Sequence, residues 1–339
     1  MRHSLLAAGL AAALLMPAVA GATPRDHDRA TTLAVIGDVP YGDPLIAEFP
    51  EDITEINADP DVSRVIHLGD IKNGSSRCDT SYLTARLADF QTFADPLVYT
   101  PGDNEWTDCH RANNGGYNPV ERLSVIRQLF FPRPGRTLGH DKEDVAFQSR
   151  AYPENVAWSE RGVVYGTVHV VGSNDDRAAW FTDRKDAPGN PLPETRKETG
   201  QRTREYTKRE AANLDWLDAL FDAAERTHAP ALVIGMQADM WDPTAEQSAF
   251  EPVKAVIAER AEEFGKPVLL MEGDSHLFLV DRPVGMPANL TRIVVQGSTN
   301  LPHEWTKLKV DPSRPSVFSC HEVEFVTKKV TPCPGPLAP

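Results

Sequence analysis

Several apolar runs of this chain end in polar residues able to bind a cation or move a proton. Leu33–Ile36 runs into Gly37-Asp38, Val65–Leu68 into Gly69-Asp70, and Leu97–Thr100 into Pro101-Gly102-Asp103. Further on, Ala231–Gly235 ends at Met236-Gln237-Ala238-Asp239, and Val268–Met271 at Gly273-Asp274-Ser275-His276. A single Asp after a strand-terminal glycine is commonly only a turn or helix-capping residue. Recurrence changes that reading. In open α/β sheets ligands bind beyond the carboxyl ends of the strands, so neighbouring strands would bring these side chains to one place. Carboxylates crowded together repel and take up protons unless a cation compensates. A divalent ion is the simplest compensation, and oxygen donors suit hard or borderline ions.

Parallel strands joined by helices are what would hold such groups together. Pro50–Asn57 and Tyr82–Phe93 read as helices, the second with Leu83, Leu87 and Phe90 on one face. Strands alternating with helices predict an α/β protein with a parallel sheet. Val156–Ser159 and Val163–Val171 read as adjacent strands joined at Glu160-Arg161-Gly162. The Pro-, Gly- and charge-rich stretch Arg177–Arg204 reads as a solvated loop whose basic residues would suit a substrate-facing lid. Helices are predicted over Lys208–Arg226, with Leu214, Leu217, Leu220 and Phe221 at helical spacing, and over Val253–Phe264, stopped by Gly265. Phe278–Val280, Ile293–Val295 and Val317–Val326 read as the last strands. With no internal repeat and no second boundary, residues 31–330 are expected to form a single domain carrying 177–204 as an insertion.

The order and spacing of these strand ends resembles the calcineurin-like metallophosphoesterases, including the purple acid phosphatases. The family pattern is Asp-x-His, Gly-Asp-x-x, Gly-Asn-His-Asp/Glu, a His, then Gly-His-x-His. Its stations here are Gly37-Asp38-Val39-Pro40-Tyr41, Gly69-Asp70-Ile71-Lys72-Asn73, Gly102-Asp103-Asn104-Glu105, Gln237, and Gly273-Asp274-Ser275-His276, spanning roughly Thr32 to Leu279. Asp38, Asp70 and His276 match outright, whereas Asp103, Gln237 and Asp274 stand in for other ligands and Pro40 for a His. The resemblance implies a two-sheet β sandwich flanked by helices and a dinuclear site hydrolysing small phosphorylated substrates. Asp70 would bridge the ions, with Asp38 and His276 on one and Asp103, Gln237 and Asp274 on the other; the ions could be Mn, Fe, Zn, Mg or Ca. Asn104 occupies the station of the His that protonates the leaving group, and an amide cannot do that. Glu105 or Asp239, the latter otherwise read as a surface residue, could stand in, or the substrate could carry a good leaving group. Tyr41 lies at a spacing from which its phenolate could reach the same ion as Asp38.

Composition frames the rest. The 339 residues carry a formal net charge of -14 with 41% hydrophobic residues, ordinary for a globular chain and unlike a nucleic-acid backbone binder. Arg2 and His3, the apolar run Leu5–Leu15 and Ala18-Val19-Ala20 form the three-part pattern of a signal peptide over 1–20, and the run is too short for a membrane span. The mature protein is therefore expected in the periplasm or outside the cell, where its four cysteines would be oxidised. Of the three possible pairings, Cys78–Cys109 and Cys320–Cys333 are favoured, because Cys78 and Cys109 each follow a Gly-Asp strand end. His67 reads as core-facing. His110, His169, His303 and His321 are read as structural or exposed, and Trp106, Trp158, Trp216 and Trp241 as packing groups. Two rival readings stand beside the hydrolase. Gly273-Asp274-Ser275 is similar to the nucleophile block of Gly-Asp-Ser lipases, but no Asp-x-x-His follows near the C-terminus. Loss of several His ligands would also fit a catalytically inactive metallophosphoesterase fold that binds a ligand.

Overall fold

Alternation along the first strand sets the layers. In β1 (Thr31–Ile36), Leu33 and Val35 pack into one apolar cluster and Ala34 and Ile36 into another, so both faces are covered. The structure is a computed structural model describing residues 30–335 and 337, and the expected signal peptide lies outside them. β1 pairs in parallel with β2 (Arg64–His67), and β2 with β3 (Leu97–Tyr99). The chain then builds a second sheet from β4 (Ala146–Ser149), β5 (Tyr152–Glu160), β6 (Val163–Thr167), β7 (Leu232–Gly235), β8 (Val268–Glu272), β9 (Leu279–Asp281) and β10 (Leu290–Val294). It returns to the first with β11 (Glu304–Val310), β12 (Phe318–Glu324) and β13 (Val330–Pro332). The six-stranded sheet has the order β13-β12-β11-β1-β2-β3 and the seven-stranded sheet β4-β5-β6-β7-β8-β10-β9. At the centre of the second, β6, β7, β8 and β10 are parallel.

The sheets pack face to face through Leu33, Val35, Ile66, Tyr165, Val233, Leu269 and Ile293. Helices Gly42–Asn57, Thr80–Phe90 and Pro119–Phe130 cover the outer face of the first sheet through Phe49, Ile53, Phe90 and Phe130. Helices Arg196–Arg226 and Glu251–Phe264 cover the second through Trp216, Leu217, Leu220, Phe221, Val253 and Ile257. Each such side chain contributes about 1.5–3 kcal/mol by leaving water. The result is the sandwich flanked by helices that the resemblance implied, with the parallel strands that the strand pattern predicted.

Three expectations are corrected. The first helix starts at Gly42 rather than Pro50. Pro44 sits in its first turn, where the missing N–H costs nothing, and Pro50 is carried in the interior. The long helix starts at Arg196 rather than Lys208, closed by a capping box of Thr195 and Glu198. Residues 177–204 are therefore not a solvated loop throughout: 196–204 are helical, and Trp180 and Phe181 are buried, with Trp180 Nε1 donating to Asp176 Oδ1 at 2.7 Å. Arg184 pairs with Glu198 (2.7 Å) and Arg202 with Glu194 (2.8 Å), so these two arginines are neutralised within the segment. Helix Pro119–Phe130 and strand β11 lacked a clear sequence signal. The cysteines pair as Cys78–Cys109 and Cys320–Cys333, with Cα separations of 5.7 and 5.4 Å. Among the described residues, no helix is long and apolar enough to cross a membrane.

Candidate metal centre

The carboxyl ends of β1, β2, β3, β7 and β8 deliver Asp38, Asp70, Asp103, Gln237 and Asp274 to one edge of the sandwich. Their backbone departs from the strand abruptly. Asp38 (φ 56°), Asp70 (φ 56°), Asp274 (φ 69°) and His276 (φ 64°) all occupy the left-handed region. Each such residue stores on the order of 1–3 kcal/mol, and clusters of them mark functional sites. The turn throws each side chain off the strand axis toward its neighbours. Close backbone approach completes the cradle: a Cβ on Gly172 would stand 2.5 Å from Asp274 Oδ1, and one on Gly273 2.6 Å from Asp38 Oδ2.

One oxygen each from Asp70, Asp103 and Asp274 lies within 4.8 Å of the others, a spacing that could hold a metal ion. Asp38 adjoins this trio, since the Asp274 N–H lies 3.2 and 3.1 Å from its two carboxylate oxygens. Tyr41 joins the two halves: its hydroxyl lies 3.1 Å from Asp70 Oδ2 and 3.5 Å from Asp38 Oδ1. His276 presents Nε2 at 3.5 Å from Asp38 Oδ1, while its Nδ1 is fixed by Thr299 Oγ1 at 2.7 Å. Holding one ring nitrogen to orient the other is the usual support of a metal-binding imidazole.

The electrostatics call for cations. Burial pushes the carboxyls of Asp38, Asp70 and Asp274 well above the usual range, and the Asp103 charge pushes each further. Burial, then the Asp70 and Asp38 charges, raise the Tyr41 phenol. Burial lowers His276, which favours the neutral imidazole that binds metal. Lys72 is fully buried nearby, but its Nζ is turned to the carbonyls of Asn73 (2.8 Å) and Asn104 (2.7 Å). A nearly all-oxygen donor set with an excess of negative charge fits hard divalent ions.

Several of the expected residues also make contacts of their own within the chain. Gln237 presents its amide nitrogen, not its oxygen, to Asp103 Oδ1 (3.2 Å) and Asp274 Oδ1 (3.1 Å), while its oxygen accepts the Gly172 N–H at 2.6 Å. In this arrangement it ties two carboxylates together. Glu105 is fully buried, and its Oε1 accepts from Gly102 N (2.7 Å), Tyr99 OH (2.7 Å) and Asp70 N (3.2 Å). That position anchors the Asp70 and Asp103 turns. Asp239 is also buried, paired with Arg292 at 2.5 Å. Asn104 Nδ2 donates to Asp70 Oδ2 (2.6 Å) and Tyr41 OH (3.0 Å), orienting the central carboxylate. Among the histidines, His67 is buried with Nε2 on the Val39 carbonyl, and buried His169 bonds Glu154 at 2.9 Å.

Sequence reasoning missed Ser173 and Asp108. Ser173 Oγ lies 2.7 Å from Asp103 Oδ2 and 2.8 Å from Asp108 Oδ1. Ser173, Asn174, Asp175 and Asp176 form a left-handed turn after β6, with φ from 51° to 66°. Consecutive left-handed residues of this kind carry no periodic pattern a sequence could show.

No protein-family model and no curated protein matches the chain in sequence. Solved structures do match it in shape. The crystal structure of a dimetal phosphatase from Danio rerio superposes with a TM-score of 0.54 at 12% identity, covering 89% of this chain and 98% of that one. GAP50, the anchor in the inner membrane complex of Plasmodium, gives 0.46 at 8% identity over 89% and 86% of the two chains. The first likeness shows the fold. It is a metallophosphoesterase-like sandwich.

Proposed function

We propose that this chain is a metal-dependent phosphoester hydrolase, exported in its mature form and acting on small phosphorylated substrates. The observation that carries the reading is the Asp70–Asp103–Asp274 cluster at the strand ends of that fold, with Asp70 and Asp103 buried and Asp274 half-buried. Asp38, Asp70 and His276 would hold one ion and Asp70, Asp103 and Asp274 the other. Bound there, two ions would supply Lewis acidity toward a phosphoryl oxygen and a nucleophile active at neutral pH. Everything else is done by this chain's own groups. Tyr41 and Asn104 orient Asp70, Gln237 sets the spacing of Asp103 and Asp274, and Thr299 aims His276. One imidazole among so many carboxylates favours Mn, Mg or Ca over Zn or Fe. The two disulfides support an oxidising compartment.

A panel of phosphomonoesters and phosphodiesters, run with Mn, Fe, Zn, Mg and Ca separately, tests the reading, with bound metal measured in parallel. Asp70→Asn should remove both activity and at least one ion. Normal turnover and metal content in that variant would end the metallohydrolase reading. Asn104 beside Asp70 favours a second reading, a non-hydrolysing binding protein on the same fold. Retained metal with no turnover on any ester would select it.

A further inference from the structure

Arg111 is a cationic side chain left half free at the edge of the carboxylate cluster. It sits between two short 3-10 turns, Thr107–His110 and Ala112–Asn114, with its side chain 41% exposed. Its Nη1 lies 2.6 Å from Asp108 Oδ2, whereas Nε and Nη2 have no partner among the described residues. The guanidinium borders the site. A Cβ on Gly74 would stand 3.1 Å from Asn104 Oδ1 and 3.7 Å from Arg111 Nη1, so amide and guanidinium flank one gap that only a glycine leaves open. The other end of the Asn104 amide is the 2.6 Å contact to Asp70.

The surrounding loop is built to hold this side chain still. The Cys78–Cys109 disulfide ties it to the segment after Asp70, and Asn114 Nδ2 donates to the Gly74 carbonyl at 2.9 Å. On the other side, His110 Nδ1 accepts the Phe181 N–H at 3.0 Å, and the Ala112 N–H donates to Asp183 Oδ2 at 2.6 Å. Asp108 is itself fixed by Ser173 Oγ at 2.8 Å, so the guanidinium is oriented from the β6 turn as well. A rigid mount with unused donors, beside a centre that would bind phosphoryl oxygens, is what a preorganised anion clamp requires.

We propose that Arg111 clamps the terminal oxygens of the substrate phosphoryl group and thereby selects phosphomonoesters over phosphodiesters. This rests on the hydrolase reading above. A monoester has three terminal oxygens and up to two charges, enough for the metal centre and a guanidinium fork together. A diester has two such oxygens and one charge, and its second substituent would face Arg111. The planar fork matters as much as the charge, so Lys is a poor replacement.

The test uses the metal-loaded chain with Arg111→Gln and Arg111→Lys. Arg111→Gln should raise KM for p-nitrophenyl phosphate and Kd for inorganic phosphate by roughly 10- to 100-fold, the loss of one charge-assisted pair. KM for bis(p-nitrophenyl) phosphate should move much less, Arg111→Lys should recover only part of the loss, and metal content should stay unchanged. Equal losses on both esters, unchanged phosphate affinity, or loss of metal in both variants would each overturn the clamp. Should the unmodified protein hydrolyse neither ester with any ion, the hydrolase reading fails, and the phosphate affinities of the two proteins still decide the role of Arg111.

Discussion

At the scale of single residues, the site is defined by what surrounds its carboxylates. A glycine against a ligand is a sharper probe than the ligand itself, because its substitution leaves every donor in place. Gly172→Ala would drive a methyl against the Asp274 carboxylate, which the Gln237 amide and the Asp38 contact hold from other sides. Expected is a roughly 10- to 100-fold loss of metal affinity, the range for outer-shell changes, with the fold retained. Metal titration with a parallel melting curve checks it, and unchanged affinity would show that Asp274 is not a ligand. Leaving groups offer a second probe. Asn104 cannot protonate one, and Glu105 and Asp239 are engaged by Gly102 and Arg292, so none of these three is poised for general acid catalysis worth about 10²–10⁴-fold. Turnover should therefore fall steeply from p-nitrophenyl to phenyl to alkyl phosphates; a flat series would reveal a donor elsewhere. The aspartates were legible in the sequence because each follows a strand-terminal glycine. The contacts of Gln237 and Glu105 were not, since residue type cannot show which neighbour an amide or carboxylate meets.

At the scale of elements, parallel strands and most of their covering helices follow from hydrophobic periodicity, Pro119–Phe130 being the helix that did not read plainly. The Arg177–Arg204 segment did not either, because its charges mask two different states. Its first part is pinned by two buried aromatics, and its last part extends a helix whose exposed start has no apolar stripe. Trp180→Ala should therefore behave as a core truncation, costing about 3–5 kcal/mol, rather than as a change in a mobile lid. Chemical denaturation measures this, and a cost under about 1 kcal/mol, the surface range, would restore the loop reading. The Cys78–Cys109 crosslink makes a separate prediction. Replacing both cysteines by Ser should lower stability by about 2–4 kcal/mol. It should also raise KM, since Cys109 stands two residues before Arg111; the closed stretch 78–109 carries Asp103 of the cluster as well, so metal content is measured alongside. An unchanged KM at the lowered stability would uncouple that loop from substrate binding.

At the scale of the whole molecule, the carboxylate cluster links stability to pH and to metal. Without ions, Asp38 and Asp70 are buried with carboxyl groups held well above the usual value, burial being the first cause and neighbouring charges the second. The folded chain then binds more protons than the unfolded chain once pH exceeds the ordinary carboxylate value of about 3.9. Stability from these groups is complete below that value and is lost as pH rises toward their folded values, by about 1.4 kcal/mol per pH unit for each group still protonated when folded. Ions invert the relation, because they replace the protons and bind more tightly as the ligands ionise. The chelated protein should thus be less stable at pH 8 than at pH 5, and saturating Mn should abolish or reverse the difference. Urea unfolding at both pH values, with chelator and with Mn, measures both slopes. A chelated protein equally stable at the two pH values would mean that the strand-end carboxylates do not share one desolvated, charge-crowded centre, and the case for cations there would lose its physical basis.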